Sequence, residues 1–151
     1  MGFEIRPATP ADEEDALDLL EQLFEPPGDV PPDYTRGRAS TAFRWALEQP
    51  NADVLLAFDG DKAIGLTSVY ADIKSLGFGP KCWLQDMIVD RERRSDGIGG
   101  LLMFAAEDWA RGHGLTHIEL SSNSARVDAH RFYERQGFGR ATAFLKWLGQ
   151  S

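Results

Sequence analysis

The chain has 151 residues, 42% of them hydrophobic, and a formal net charge of −8 at pH 7. This length suits a single domain with a buried core over residues 1–151, and the negative charge argues against nucleic acid or an anionic membrane surface as the main partner. No apolar run approaches the ~20 residues of a membrane span, and the first residues lack the basic and apolar regions of a secretion signal. We therefore expect a cytoplasmic protein. Its lone Cys82 excludes an internal disulfide bond.

The first half of the chain predicts three strands and two helices. Apolar residues alternate in the stretches assigned to strands and recur at helical spacing in the others. Thr9 or Asp12 can cap the first helix, and Asp59-Gly60-Asp61 is a turn signal between two strands. The expected elements are a strand at 3–6, helices at about 10–24 and 34–48, and strands at 53–58 and 62–72.

The second half predicts a central strand, two helices and a closing hairpin. Residues 73–81 contain two glycines and a proline and are expected to form an irregular connection. Gly137 is the expected left-handed residue that ends the second of these helices. The expected elements are a strand at 83–89, a helix to about Arg111, a strand at 116–122, a helix at about 125–136 and a return strand at 142–148.

A glycine-rich bend follows the central strand and has the properties of an anion site. Glycine lets the backbone approach a ligand closely, and the free N–H groups at the start of the next helix carry partial positive charge. Arg91, Arg93 and Arg94 add full charges beside it. A di- or triphosphate is the usual occupant of such a site. The alternative is an ordinary strand–helix turn whose glycines serve only tight packing.

The spacing of the glycines distinguishes between the known phosphate-binding motifs. No Lys follows them, as a Walker loop requires, and the third glycine of the dinucleotide fingerprint is absent. The sequence Arg94-Ser95-Asp96-Gly97-Ile98-Gly99 matches R/Q-x-x-G-x-G/A, and residues 129–138 match A-x-x-[FL]-Y-x-x-x-G-F. In this order, the two motifs resemble those of the GCN5-related N-acetyltransferases (GNAT), a resemblance that extends from Ile5 to Leu148.

The resemblance implies an α/β (α+β) fold of the GNAT acyl-CoA N-acyltransferase type. The expected architecture is a mixed central sheet of about seven strands flanked by about four helices. It also implies acetyl-CoA as cosubstrate, with the pyrophosphate held by the glycine-rich bend and the pantetheine contacted by Asn123. The residues expected to contact acetyl-CoA are Met87, Ile88, Val89, Arg93, Arg94, Ser95, Asp96, Gly97, Ile98, Gly99, Gly100, Asn123 and Tyr133. Asn123 has an alternative role as a helix cap.

Acetyl transfer to an amine needs proton removal from the amine, an oxyanion donor and a proton for the departing thiolate. Tyr133 aligns with the tyrosine that acts as general acid in the family, with core packing as its alternative role. Some relatives place Glu-Asp on the central strand where this chain has Gln85-Asp86. Gln85 cannot accept a proton, so Asp86 or Glu119 is the candidate base, acting through a water. Either carboxylate has a structural alternative, and an exposed amine can also react without a base. The resemblance assigns the oxyanion donor to the backbone N–H of Ile88 or Met87.

The acceptor is the least defined part of the prediction. In the family the first two helices and their loop form a wall of the acceptor site, so Glu21, Glu25, Asp29 and Asp33 are candidates to attract a cation. We expect a small cationic primary amine such as a polyamine, an aminoglycoside or an amino-acid derivative. A peptide or protein amine, or a non-catalytic acyl-CoA sensor, are the alternatives. The histidines share no spacing with carboxylates that suggests zinc, so no metal is expected. Family members are often dimers, and 141–148 offers an apolar edge for a homodimer.

Overall fold

A five-stranded sheet forms the centre of the part of the chain that the structure describes. The computed structural model describes residues 2–122, 126–141 and 143–148, with the backbone alone at 72–74. The strands lie in the order β1-β2-β3-β4-β5; the first four are antiparallel neighbours and β5 is parallel to β4. Their bounds are β1 Glu4–Pro7, β2 Ala52–Asp59, β3 Lys62–Ser75, β4 Gly79–Val89 and β5 His117–Glu119.

Four helices cover the two faces of this sheet. They are α1 (Glu13–Glu21), α2 (Arg36–Glu48), α3 (Ile98–Gly112) and α4 (Val127–Arg135). Because side chains alternate along a strand, β2 contributes to both faces. Leu56 and Phe58 pack in the cluster that contains α1 and α2, whereas Leu55 and Ala57 pack in the clusters that contain α3. The predicted mixed α+β architecture is confirmed.

Hydrogen bonds between side chains and the backbone lie near the starts of the first two helices. A 3₁₀ turn (Pro10–Asp12) precedes α1, and Asp12 accepts a hydrogen bond from the Thr9 backbone N–H at 2.8 Å. A second 3₁₀ turn, Gln22–Phe24, extends α1 to the predicted end. The helix α2 begins at Arg36, because the Thr35 side chain accepts a hydrogen bond from the Arg38 backbone N–H at 3.0 Å and caps it.

The irregular connection predicted at 73–81 is wrong. The strands β3 and β4 continue to pair as far as Ser75 opposite Gly79, which leaves only residues 76–78 for the turn. Gly79, at a φ of 86°, and Pro80 lie at the start of β4 rather than in a long loop. The glycines therefore mark a tight reversal of the chain. No helix in the described part of the chain has the length and apolar composition needed to cross a membrane.

The strand count of about seven is also wrong for the described residues, which form five. Residues 138–141 and 143–148 contain no strand, and Thr142 lies outside the described residues. A strand requires a hydrogen-bonded neighbour, and alternating apolar residues alone do not supply one. Phe144 and Leu145 are instead 93% and 79% exposed. The strand predicted at 116–122 is confirmed only at His117–Glu119, because the chain leaves the sheet before Leu120.

Candidate active site

The strand β4 has an edge that is paired for only part of its length. Its parallel pairing with β5 joins Lys81, Cys82 and Trp83 to residues 117–119. Beyond this point the two strands diverge, and residues 84–89 line a cleft of about 960 Å³. Residues 120–122, α4 and the segment between α1 and α2 form the other walls. Polar main-chain groups along β4 therefore face a space large enough for a cosubstrate.

The direction of the β4 main-chain groups follows from their partners. The N–H of Asp90 donates to Ile64 and that of Asp86 donates to Ser68, so both N–H groups face β3. Successive N–H groups of a strand point to opposite edges. The N–H groups of Met87 and Val89 therefore face the cleft, whereas that of Ile88 faces β3. Of the two oxyanion donors expected from the sequence, only Met87 has its N–H on the cleft side.

A β-bulge at Gln85 sets the position of Asp86. Ser68 is opposite Asp86 and Val69 is opposite Leu84, so Gln85 is the extra residue on β4. The Gln85 side chain is exposed and accepts a hydrogen bond from the Trp83 ring N–H at 2.5 Å. The half-buried Asp86 lines the cleft and accepts a hydrogen bond from the Ser68 hydroxyl at 2.6 Å. Burial raises the pKa of Asp86, and the Ser68 hydrogen bond opposes this rise. A raised pKa makes the carboxylate a stronger base and brings its pKa closer to the value that suits general-base catalysis.

Tyr133 lies on the opposite wall of the cleft. It projects from α4 and packs edge-on against the rings of Phe132 and Phe138, with centroid distances of 5.5 and 5.9 Å. Burial raises the pKa of this phenol, and the charge of Arg126 partly offsets the rise. Tyr133 therefore stays protonated at neutral pH, as a proton donor must.

The glycine-rich bend begins α3 at one end of the cleft. Gly97 precedes the helix with a φ of 79°, a left-handed conformation that glycine adopts without strain. Ile98 is 1% exposed and anchors the first turn in the core, while Gly97, Gly99 and Gly100 line the cleft. The first N–H groups of α3 are thus held toward the cleft with the positive end of the helix dipole.

The three arginines beside the bend have different environments. Arg91 pairs with Glu25, and Arg93 pairs with Asp59 at 2.8 Å and with Asp96 at 3.0 Å. Arg94 lines the cleft, is exposed, and donates one hydrogen bond to the Val89 carbonyl at 3.0 Å. Of the three, Arg94 is the one placed to meet a phosphate group.

The structure brings most of the predicted site residues together but places several elsewhere. Met87, Ile88, Val89, Arg94, Ser95, Gly97, Gly99, Gly100, Asp86 and Tyr133 line the cleft. Arg93, Asp96 and Ile98 have the internal partners described above. Glu119 forms an ion pair with Lys81 at 2.5 Å, away from the cleft lining. Asn123 lies outside the described residues.

The segment between α1 and α2 supplies a wall that the sequence identified only in part. Of the four acids predicted for this side of the cleft, Asp29 lines the cleft and is exposed, whereas Glu25 pairs with Arg91 and Glu21, at the end of α1, accepts a hydrogen bond from Tyr34. Asp33 is absent from the described lining of the cleft.

Arg126 was missed by sequence reasoning. It stands just before α4, lines the cleft and donates a hydrogen bond to the Leu23 carbonyl on the opposite wall. The same guanidinium lies beside Gly28, where a side chain would collide with it. No sequence signal links Arg126 to Leu23, because they are 103 positions apart.

Replacing Arg94 with Ala is expected to weaken acetyl-CoA binding by about 2- to 5-fold, the effect of one exposed ion pair. The salt dependence of the affinity should also become shallower, because a screened charge has been removed. Titration calorimetry at several salt concentrations measures both effects. Arg111→Ala is the matched control, because it removes an equal charge from an exposed site at the far end of α3. Identical salt curves for Arg94→Ala and wild type would assign Arg94 to the surface.

Replacing Gly99 with Val is expected to weaken acetyl-CoA binding at least tenfold, about 1.4 kcal/mol. A Cβ atom at Gly99 would lie 3.2 Å from two ring atoms of Phe132, so the added side chain narrows the cleft where a phosphate group must approach. Gly112→Val is the control, because its Cβ would meet no atom within 4 Å. An unchanged affinity in folded Gly99→Val protein would remove the bend from the binding site.

Comparison with known proteins supports the chemistry that this geometry suggests. The acetyltransferase (GNAT) family matches over residues 14–138. The aminoalkylphosphonate N-acetyltransferase of Salmonella typhimurium is 31% identical over 135 residues, which cover 89% of this chain and 84% of that protein. The uncharacterized N-acetyltransferase YhdJ of Bacillus subtilis is 43% identical over 65 residues, 42% of this chain and 46% of its own length.

A solved structure extends the comparison to nearly the whole chain. The aminoglycoside N-acetyltransferase AAC(6')-Iy in complex with CoA superimposes with a TM-score of 0.83 and 15% identity, covering 99% of this chain and 96% of that one. At this identity the likeness shows the shared fold. Among the described residues, no group of three or more His, Cys, Asp or Glu could hold a metal ion. The family match spans both motifs and the open edge of β4, and the chain therefore belongs to the GNAT family as an acetyl-CoA-dependent N-acetyltransferase.

Proposed function

We propose that the chain transfers acetyl from acetyl-CoA to the primary amine of a small cationic acceptor, by direct attack in a ternary complex. The observation that carries this proposal is the cleft beside the unpaired half of β4, with Asp86 on its floor and Tyr133 on its wall. The thioester lies along β4, where the Met87 N–H is available to its carbonyl oxygen. The amine enters from the side of the α1–α2 segment.

Asp86 and Tyr133 divide the proton transfers of this reaction. Asp86 removes a proton from the ammonium form of the amine through a water. The amine nitrogen then forms a bond to the acetyl carbon, and the Met87 N–H stabilises the oxyanion. The C–S bond breaks, and the phenol of Tyr133 gives its proton to the departing thiolate. The nitrogen loses its second proton to water as the amide forms, and solvent takes the proton from Asp86 and returns one to Tyr133.

The charges of the cleft support a cationic acceptor. Asp29 is exposed on the acceptor side and has no ion-pair partner among the described residues, and Asp86 lies on the floor. The cleft lining also contains Asp128 and three arginines, so the attraction for an amine with more than one positive charge is local to Asp29 and Asp86. Polyamines, aminoglycosides and cationic amino-acid derivatives meet this requirement.

Arg126 favours a second class of acceptor. Its guanidinium lies on the same cleft and can pair with a phosphonate or carboxylate group. An aminoalkylphosphonate carries such a group beside its amine, and the Salmonella relative is named for this activity. This class is our second candidate.

An amine panel with mass detection tests the proposal. The panel contains polyamines, aminoglycosides, amino-acid derivatives, aminoalkylphosphonates and a lysine peptide, and thiol release is followed in parallel. We expect acetylated product and equal thiol release with a small cationic amine. Product from the peptide alone would favour a protein acceptor. Tight acetyl-CoA binding without product from any amine would favour a sensor. The single domain, the cytoplasmic location and the homodimer remain predictions.

A further inference from the structure

Two buried hydroxyl groups on β3 contact Asp86 in different ways. Ser68 is 3% exposed and Thr67 is fully buried. The Ser68 hydroxyl donates to the Asp86 carboxylate Oδ2 at 2.6 Å and accepts the Asp86 backbone N–H at 3.0 Å. The Thr67 hydroxyl donates to the Asp86 backbone carbonyl at 2.9 Å. Only Ser68 therefore touches the group that would accept a proton.

A β-bulge lies next to the contact between Ser68 and Asp86. At the bulge, the extra residue Gln85 disrupts the ladder between β3 and β4. The Asp86 N–H, which points to β3, donates to the Ser68 hydroxyl at 3.0 Å. The same hydroxyl then fixes the side chain of Asp86, so the main chain and the carboxylate are held by one atom. The second carboxylate oxygen, Oδ1, has no hydrogen-bond partner among the described residues.

We propose that Ser68 is a positioning residue, which fixes the Asp86 carboxylate at the bulge so that its Oδ1 oxygen stays available to the acceptor amine or its water. The inference rests on the proposed role of Asp86 in the reaction. A short hydrogen bond to one oxygen restricts rotation of the carboxylate, and orientation of this kind is a large component of catalysis.

Other charged groups of the cleft do not take over this function. The ionisable side chains that share the cleft with Asp86 are Asp29, Arg94, Arg126, Asp128, Tyr133 and Arg135. The pKa of Asp86 is instead set by burial, which raises it, and by the Ser68 hydrogen bond, which lowers it. Removing the hydroxyl leaves burial unopposed, so the pKa of Asp86 rises further.

The test compares three variants at this position and its neighbour. Ser68→Ala removes the hydroxyl that contacts the carboxylate, and Ser68→Thr keeps it. Thr67→Val is the matched control, because it removes an equally buried hydroxyl that contacts only the backbone of Asp86. For each protein, kcat and KM are measured from acid to alkaline pH, and thermal unfolding confirms the fold.

We expect Ser68→Ala to move the acid limb of the kcat profile upward by about one pH unit and to lower the plateau about tenfold. The KM for acetyl-CoA should be unchanged in Ser68→Ala. Ser68→Thr keeps the hydroxyl, so its acid limb should match that of wild type. Thr67→Val should lower the stability of the protein without moving the acid limb. An acid limb that is unchanged in Ser68→Ala, or equally shifted in Thr67→Val, would overturn the inference.

A second readout does not depend on catalysis. The carboxyl carbon of Asp86 is titrated by NMR in wild-type protein and in Ser68→Ala, and its midpoint should be higher in the variant. Equal midpoints would overturn the contact that carries the inference. Failure of the proposed function has a different signature, because wild-type protein would then acetylate no amine of the panel.

Discussion

Replacing Tyr133 with Phe is expected to lower kcat by about 100-fold, the low end for loss of a general acid. Phe retains the ring and its packing against Phe132 and Phe138 but removes the proton donor. Acetyl-CoA affinity should change little, because the hydroxyl is needed most when charge develops on sulfur. Steady-state kinetics and calorimetry measure the two quantities separately.

The pH profile gives this prediction a second measurement. A general acid must be protonated, so kcat falls as pH rises through the pKa of Tyr133, which burial raises above that of an ordinary phenol. This alkaline limb should move or disappear in Tyr133→Phe. Tyr34→Phe is the control, because its hydroxyl donates to Glu21 at 2.6 Å and lies outside the described cleft lining. Wild-type kcat and an unchanged profile in Tyr133→Phe would leave Tyr133 as a core residue.

Replacing Asp86 with Asn should lower kcat by about 10²-fold or more, because the amide cannot accept the amine proton. The active form of Asp86 is the carboxylate, so the wild-type rate rises as pH rises through its raised pKa. That acid limb should be absent in Asp86→Asn. Wild-type kcat with an intact acid limb would exclude Asp86 as the base and favour attack by an exposed amine without one.

Stability separates this chemical effect from a structural one. The folded-state pKa of Asp86 is raised, so ionisation destabilises the folded protein as pH rises from the unfolded-state pKa through the folded-state pKa. Above this window the folded protein carries a poorly solvated charge that Asn lacks, while the amide oxygen can still accept from Ser68. Urea denaturation at pH 7 should therefore show a free energy of unfolding for Asp86→Asn no lower than that of wild type.

The part of the site that could be predicted from sequence is the part that is continuous in the chain. The strand β4, the glycine-rich bend and the start of α3 follow one another, so their residue types and spacing describe one local structure. Gly97 shows this directly, since its left-handed φ is a local property that the motif encodes. The motif that contains Tyr133 is equally compact, and α4 places this residue on the cleft.

The contacts that complete the site are not local, and sequence patterns do not encode them. Ser68 lies opposite Asp86 on the neighbouring strand, beside the bulge at Gln85, and no residue type in the sequence indicates which side chains meet there. The sequence suggested Glu119 as a base because it lies on the strand beside β4. Glu119 instead pairs with Lys81, which is 38 positions away in the sequence and is brought next to it by the pairing of β4 with β5.

The C-terminal hairpin is an element that the sequence predicted and the described residues do not form. The apolar residues Phe144, Leu145 and Trp147 and the order of elements in the family favoured a strand, but apolar composition specifies only which side chains could be buried. It does not supply the neighbouring backbone, and the described residues 143–148 have no such partner. Strand formation depends on distant pairing more than helix formation does, so this part of the sequence was the least informative.

The hydrogen bond from Arg126 to the Leu23 carbonyl joins two walls of the cleft. Arg126 stands just before α4, and Leu23 belongs to the 3₁₀ turn that follows α1. A movement of α4 would therefore also act on the turn that contains Leu23. If each of the two substrates binds against one of these walls, this contact would couple their binding, and each would change the affinity for the other by the same factor.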